Sequence, residues 1–588
     1  MIRTAVLVLL ASAAAFAQQK AQISGIVQDP SGASIAGASV TLLHVDTGIR
    51  RIAVSNNDGF YAVSSLAPGA YKITVRREGF QTIVRVGFPL QATEAAILDF
   101  MLQLGSMHEE ITVEATPDVM NTIDGSSGIV IGRELVNSIP VNGRGIQALA
   151  ELAPGVVQTP ATAGEAGQFS ASGQRPNANY FTVDGVSANN GVSGSGLPGM
   201  FSGSALPAMS AIGSLHTLAS LGELQELRVQ TSTFAPEYGR MPGAQVSLTT
   251  RSGSNAFHGS MFGVFRHEKL NAADWFANAA GRGRAPHRMQ DFGGTLGGPL
   301  RRNSTFFFLS AERLNLRSSP AFRLAVPVAS VRDAQVPFVR RILQAFPLPN
   351  GPQLDANTAL FTAVATAPSR VETTSLRVDQ ALGSMGSLFV RYHRAPSWNR
   401  FGYLQLNEGD FRTDGVTVGL ITAVTPAVSN DARVNTARTR VRSAWLPNTA
   451  DGQVPLDFAS VLPNPGVGQR LWGLEVHGIG QLLVGDAGAA RQRQWNLIDA
   501  VAVNRGMHDM RFGVDYQRLS PSRESTIASV VGTFDSLGEL LSGEPPAVTF
   551  AQAVGGASVL ETFSAFAQDT WRVSPRVTLT YGIRWEWT

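Results

Sequence analysis

The chain has 588 residues, enough for about three or four domains, and is 44% hydrophobic but only 15% charged, with 60 glycines. Apolar content this high beside a net charge of +3 excludes a disordered chain, and the intermixed 47 basic and 44 acidic residues leave no footprint for nucleic acid. The lack of cysteine removes disulfides, thiolate metal sites, a cysteine nucleophile and a lipid-modified N-terminal cysteine.

The first element is an export signal over residues 1–17. Met1-Ile2-Arg3 supplies the positive start, Ala5 to Ala15 the short apolar core, and Ala15-Phe16-Ala17 the small-x-small cleavage site before Gln18. Elsewhere no window reaches the ~18 apolar residues that a membrane helix needs. A large β protein with long polar loops remains.

Residues 18–104 read as a β-sandwich. Gln22 to Val27 alternates, then Asp29-Pro30-Ser31-Gly32 supplies a turn. Ala38, Val40 and Leu42 share one face of the next strand. Asn57-Asp58-Gly59 precedes Phe60 to Val63, and Ala67-Pro68-Gly69 precedes Tyr71 to Val75. Short strands with a turn about every ten residues are the pattern of a sandwich. Gly25 to Gly32, Gly37 to Val40, Asp58 to Tyr61, Leu66 to Tyr71 and Gly79-Phe80, in that order, resemble the carboxypeptidase regulatory-like domain, an immunoglobulin- or transthyretin-like fold. That resemblance carries no peptidase activity. A zinc peptidase of that kind needs His with Glu three residues on, and none of the nine histidines has one.

Glu109 to Ala115 is a short extended run that reads equally as one more sandwich strand. Arg144 to Leu152 has helical spacing ended by Ala153-Pro154-Gly155. Phe169 to Gly173 and Tyr180 to Gly185 are short strands, a Gly-, Ser- and Asn-rich loop follows from Ser187, and Glu223 to Val229 resumes order. Ile139 to Arg144, Leu152 to Val156, Ser172 to Arg175, Phe181 to Gly185, Phe234 to Arg240 and Gly243 to Val246 follow one another as in a plug domain. Thr250 to Asn255 with Phe257 to Ser260 forms the junction, and Phe292 to Pro299 precedes Thr305 to Phe308. In this order the segments resemble TonB-dependent outer-membrane receptors of the Oar-like type. The resemblance implies a plug over residues 105–250 and the start of a transmembrane β-barrel over 251–588. It also implies a TonB box, the strand that pairs with the periplasmic TonB protein, at Ile111, Thr112, Val113, Glu114 and Ala115.

The barrel also has a basis in pattern. Val577, Leu579, Tyr581, Ile583, Trp585 and Trp587 alternate with Arg576, Thr578, Thr580, Gly582, Arg584 and Glu586. An apolar outside with aromatic ends and a polar inside is the membrane-strand pattern. Met510, Phe512, Val514 and Tyr516 repeat it, and Leu388, Val390 and Tyr392 do so less cleanly. Arg391, Arg394, Arg511 and Arg584 are expected to line the lumen and pair with plug carboxylates. Gly293 to Gly298 lacks the Lys of a phosphate loop and predicts a tight barrel turn. His258 and His267 lack metal spacing, and Asp184 is expected to cap a turn.

The fold expected is therefore mainly β: an N-terminal sandwich, an α+β plug and a partial antiparallel transmembrane barrel. Plugged transporters have about 22 strands, more than residues 251–588 accommodate, so the sequence reads as a fragment. The function implied is energised uptake of an unidentified nutrient of oligosaccharide, siderophore or peptide class. Its partners are TonB with its inner-membrane energising complex, outer-membrane lipid and the substrate. The alternative is an adhesin or structural surface protein. No catalytic, cofactor or metal residue is assigned, and no enzyme activity.

Overall fold

The computed structural model describes residues 21–92, 94–105, 110–114, 125–139, 141, 144–159, 169–191, 206–273, 275, 278, 284, 286–334, 336–383, 385–425, 427–463, 469–523, 527–553, 555–574 and 577–588. The export signal, Ala115, Pro140, Asn142, Gly143 and Arg576 lie outside the described residues.

Nine strands form the sandwich: β1 (Ala21–Gln28), β2 (Ser39–His44), β3 (Arg50–Val54), β4 (Phe60–Leu66), β5 (Gly69–Arg76), β6 (Thr82–Leu90), β7 (Ala95–Ile97), β8 (Phe100–Met101) and β9 (Glu110–Glu114). One sheet has the order β4-β1-β7, with β8 also on β1, and the other β3-β2-β5-β6-β9. Alternation in β2 and β5 turns Val40, Leu42, Ile73 and Val75 into a core with Ile23, Tyr61 and Phe88, all buried. The Tyr61 hydroxyl, carried into that core, donates to the Leu98 carbonyl at 2.8 Å, as a buried phenol requires. The run ending at Glu114 is thus a sandwich strand, lying parallel to β6 from Thr82–Glu110 to Val86–Glu114.

The next seven strands are β10 (Ser127–Gly132), β11 (Val156–Gln158), β12 (Phe169–Ala171), β13 (Tyr180–Val183), β14 (Val186–Ser187), β15 (Leu224–Ser232) and β16 (Gln245–Thr250). Five of them make the sheet β10-β15-β16-β13-β14. Two short helices, α1 (Arg133–Ser138) and α2 (Ile146–Ala150), bury Val136, Ile146 and Leu149 against Phe169, Phe181, Leu227 and Val246. The helical spacing read from Arg144 becomes α2.

The remaining strands are β17 (His258–His267), β18 (Arg288–Arg301), β19 (Thr305–Ser318), β20 (Ala321–Pro327), β21 (Thr358–Val364), β22 (Ala367–Ala381), β23 (Gly386–Phe401), β24 (Gln405–Thr425), β25 (Val428–Pro447), β26 (Gln469–Val476), β27 (Gly480–Arg505), β28 (His508–Arg523), β29 (Ile527–Phe534), β30 (Ala547–Ala553), β31 (Gly556–Ala557), β32 (Leu560–Ser574) and β33 (Val577–Trp587). Eleven of them, β17, β18, β19, β22 to β25, β27, β28, β32 and β33, pair in sequence as an antiparallel meander around the plug. Among the described residues β17 pairs only with β18 and β33 only with β32, so the sheet is open at both edges. On β33 every residue of the predicted apolar set is exposed, from Leu579 at 43% to Ile583 at 71%.

Turns at one end are short, as at Arg505–His508 and Thr425–Val428; at the other end all connections except the one from Phe401 to Gln405 are long. This is the asymmetry of outer-membrane barrels, with long loops facing outward. Three of those long connections fold together. The helix α3 (Pro337–Gln344) packs Val339, Ile342 and Leu343 on Phe458, Leu474, Val530 and Phe534, giving the outer loops a hydrophobic core of their own.

One expectation needs correction. Gly293 to Gly298 is no turn; it lies inside β18, paired on both sides. The glycines make room for neighbouring rings. A Cβ on Gly293 would stand 2.9 Å from the Phe262 ring, one on Gly297 2.9 Å from Phe308, and one on Gly298 2.3 Å from Phe257. Glycine beneath a cross-strand aromatic ring is a strand device as well as turn chemistry.

Candidate functional site

The chemistry of this molecule concentrates where the plug meets the barrel wall. Asp184 follows β13 in a left-handed backbone conformation, φ 49°, which Asp adopts more readily than most residues. Its carboxylate accepts hydrogen bonds from the Thr250 amide at 2.9 Å and the Thr250 hydroxyl at 2.7 Å. Two barrel arginines reach it, Arg377 at 3.2 Å and Arg391 at 3.8 Å. Burial pushes this carboxyl up, but the two guanidiniums and the Thr250 bonds outweigh it and hold it below its ordinary range. Arg433 donates to the Asp184 carbonyl at 2.7 Å. Asp184 therefore does more than cap a turn: it ties plug strands β13 and β16 to barrel strands β22, β23 and β25.

Similar ties surround it. Arg391 also reaches Glu223 at 3.3 Å. Arg240, again with positive φ, pairs with Asp515 at 2.7 Å and donates to Gln517 at 2.9 Å. Arg144, at φ 52°, lies 3.4 Å from Asp291 and 3.8 Å from Glu312, over the Phe262 ring. Single-residue αL positions thus aim three plug side chains at the wall.

The four predicted lumen arginines divide. Arg391 pairs with two plug carboxylates, as expected. Arg511 is buried but meets Asp509 at 3.0 Å on its own strand and Gln22 of the sandwich at 2.7 Å. Arg584 pairs with Glu586 at 2.6 Å and donates to the Glu237 carbonyl of the plug at 3.2 Å. Arg394 does not line the lumen. Three residues from Arg391, it falls on the opposite face of β23, beside exposed Tyr392; an odd offset on a strand inverts the side.

The sandwich caps the short-turn end of the barrel. Arg572 on β32 pairs with Asp99 at 2.9 Å, Asn504 donates to Ser64 at 3.1 Å, and the Asn255 amide donates to the Asp46 carbonyl at 2.8 Å. Sandwich and plug also meet directly: the Ala92 amide donates to Glu226 at 2.5 Å. Burial pushes the Glu226 carboxyl up to about 8; the Ala92 bond and Arg228 oppose the shift and Glu94 adds to it. Between the three parts lies a cavity of about 540 Å³, bordered by His44, Tyr71, Asp184, Arg240, Arg377 and Arg433 among others. Burial pushes His44 down, so it faces the cavity neutral at pH 7. Charged groups of both signs, Asp184, Arg240, Arg377 and Arg433, border this chamber between plug, sandwich and barrel.

Sequence reasoning had located Asp184, Arg391 and the plug but missed Arg144, Arg240 and Arg377 as partners. Their only signal is an Arg in a loop or on a polar strand face, and pairing depends on strands far apart in the chain.

Comparison with known proteins agrees with this architecture. Residues 249–588 match the outer membrane beta barrel domain and residues 22–103 the carboxypeptidase regulatory-like domain. Over 316 residues the chain is 26% identical to the TonB-dependent transporter Oar of Myxococcus xanthus, covering 51% of this chain and 27% of that protein. The outer-membrane transporter YddB of Escherichia coli has a similar fold, with a TM-score of 0.51 at 13% identity over 78% of this chain and 56% of that one. The chain thus spans about a quarter of the curated relative and just over half of the solved one. An apolar outward face, a plugged polar lumen and a family match over more than half the sequence converge: the chain belongs to the outer-membrane β-barrel domain family and resides in the outer membrane.

Proposed function

We propose that this chain is the plug-bearing part of a TonB-dependent transporter for energised nutrient uptake, and that Ile111 to Ala115 is its TonB box. The observation that carries the reading is a barrel lumen filled by a plug. That plug is held by individually breakable ion pairs, with an edge strand, β9, just ahead of it in the chain. Strand addition uses backbone hydrogen bonds, and β9 pairs on one side only among the described residues. TonB would take this strand by β-pairing, and tension through residues 115–126 would reach β10 and the sheet that carries Asp184. The curated relative, Oar, is named a TonB-dependent transporter, which supports the reading. The substrate belongs to the oligosaccharide, siderophore or peptide class.

Deleting residues 109–115 from the full-length protein tests this. Substrate-dependent growth should be lost while surface abundance of the barrel is unchanged. Retained growth would favour the second reading, a surface adhesin, because adhesion needs no coupling strand.

A further inference from the structure

The plug meets the two sides of the lumen through different chemistry. Toward β18, β19, β22 and β23 the wall offers it charges: Asp291, Glu312, Arg377 and Arg391. Toward β24 and β27 it offers none. Every second residue of β24 from Asn407 to Ile421, and of β27 from Gly488 to Asn504, faces the lumen and is uncharged. Between these strands β25 is also neutral on the long-loop side of Arg433, through Asn435, Ala437 and Thr439.

The plug edge that meets this neutral sector is β14, the last strand of its sheet. A sheet edge leaves backbone groups unpaired, and here side-chain amides stand in for a neighbouring strand. Asn496 accepts from the Ser187 amide at 2.8 Å, and Gln494 donates to the Ser187 carbonyl at 2.6 Å. Both amides are aimed by partners behind them. Asn496 donates to Asp515 at 2.7 Å, which leaves its oxygen for the Ser187 N–H, and Gln494 donates to Asn435 at 3.1 Å. Asn435, Gln494 and Asn496 are all buried. The wall thus holds an oriented acceptor and donor, spaced for the N–H and C=O of one residue in an extended chain.

Moving the plug aside unpairs both groups. Buried polar groups left unsatisfied cost free energy, so the wall favours whatever restores the same two bonds. An extended peptide does so, because its backbone carries what β14 carried. An anionic chelate meets no cation in this sector, and sugar hydroxyls lack the fixed N–H to C=O spacing. The cavity between plug, sandwich and barrel reaches Arg433 and Asp515. Those residues lie two positions from Asn435 and Gln517 on the short-turn side, so a chain in the place of β14 runs on into that cavity.

We propose that the solute carried past the plug is an extended, uncharged peptide segment, read through its backbone by Asn496 and Gln494 in the place that β14 vacates. The inference rests on the uptake reading and narrows its substrate to the peptide class.

The test measures TonB-dependent uptake by cells making the full-length protein, as the difference from otherwise identical cells lacking TonB. The probes are labelled, end-capped decapeptides of Gly, Ala, Ser and Asn, the same peptides N-methylated at alternate residues, a linear glucose decasaccharide and an anionic ferric catecholate. The plain peptides should enter, and the N-methylated ones about fivefold more slowly, the worth of one hydrogen bond. Asn496→Leu removes the acceptor for the peptide N–H and should bring the two rates within twofold of each other. Gln494→Met should slow both peptides and keep the fivefold ratio. Each ratio is taken within one protein, so a lower yield of folded barrel leaves it unchanged. Equal entry of plain and N-methylated peptides into wild-type cells overturns the proposal without any variant. Entry of the saccharide or the catecholate but of neither peptide also overturns it, and leaves the uptake reading intact. Entry of no probe removes the narrowing to peptide, and the uptake reading then stands on the deletion of residues 109–115.

Discussion

Removing the Asp184 carboxylate should loosen the plug by an amount the local geometry sets. Asp184→Ala deletes two hydrogen bonds to Thr250, at 2.9 and 2.7 Å, each made by a charged acceptor and each worth ~1.5 kcal/mol or more. Breaking a buried ion pair commonly costs ~3–5 kcal/mol because a charge is left bare. Here that penalty is softened, since Arg377 keeps Asp379 at 2.8 Å and Arg391 keeps Glu223 at 3.3 Å. The positive φ adds ~1 kcal/mol for Ala, which Asn tolerates and Gly avoids. The sum is about 3–4 kcal/mol for Ala and about 2 kcal/mol for Asn. Amide exchange of Tyr180–Val183 and Gln245–Leu248, the paired segments of β13 and β16, reads it directly. Protection should fall several hundredfold in Asp184→Ala and about thirtyfold in Asp184→Asn, with β24 and β25 unchanged. Unchanged protection, or an Asn variant as damaged as Ala, would refute the assignment of Asp184 as the tie between plug and wall.

The sandwich–plug contact should weaken as pH rises. Glu226 is held near 8, above an unfolded value of about 4.3, so the docked form binds the extra proton. The contact is therefore strongest below about pH 4 and weakens progressively as pH climbs to about 8. Proteolytic release of the sandwich should be faster at pH 8.5 than at pH 5.5, and Glu226→Gln should flatten the profile. Gly297→Val should lower barrel heat stability by ~1–3 kcal/mol by pushing on the Phe308 ring, whereas Gly556→Val, with open space around it, should change little. Val113→Pro should abolish TonB binding by deleting a strand amide without changing the amount of barrel in the membrane.

What the sequence made legible follows from periodicity. β33 could be read outright because period-two alternation with apolar residues on one face needs no partner to be recognised. The sandwich strands and α2 were legible for the same local reason. The same periodicity, applied to Arg391 and Arg394, would have separated them: an offset of three puts them on opposite faces, and grouping them by residue type concealed it. Gly293 to Gly298 looked like a turn because glycine composition does not reveal the rings of Phe257, Phe262 and Phe308 that need the space. The Asp184 ties to the barrel and the core beneath the outer loops join residues roughly 115 to 250 positions apart, as with Leu343 and Phe458 or Arg433 and Asp184. No local pattern encodes such pairings.

The coupling role of the strand ahead of the plug is the centre of this account, and site-specific cross-linking tests it most directly. A photo-reactive residue placed in turn at Ile111, Thr112, Val113 and Glu114 of the full-length protein should capture TonB in cells, more strongly when the transported nutrient is present. The same probe at Val84 on β6, buried at 2% exposure, should not. Capture of TonB from none of the four positions, with the barrel correctly inserted, would contradict the account.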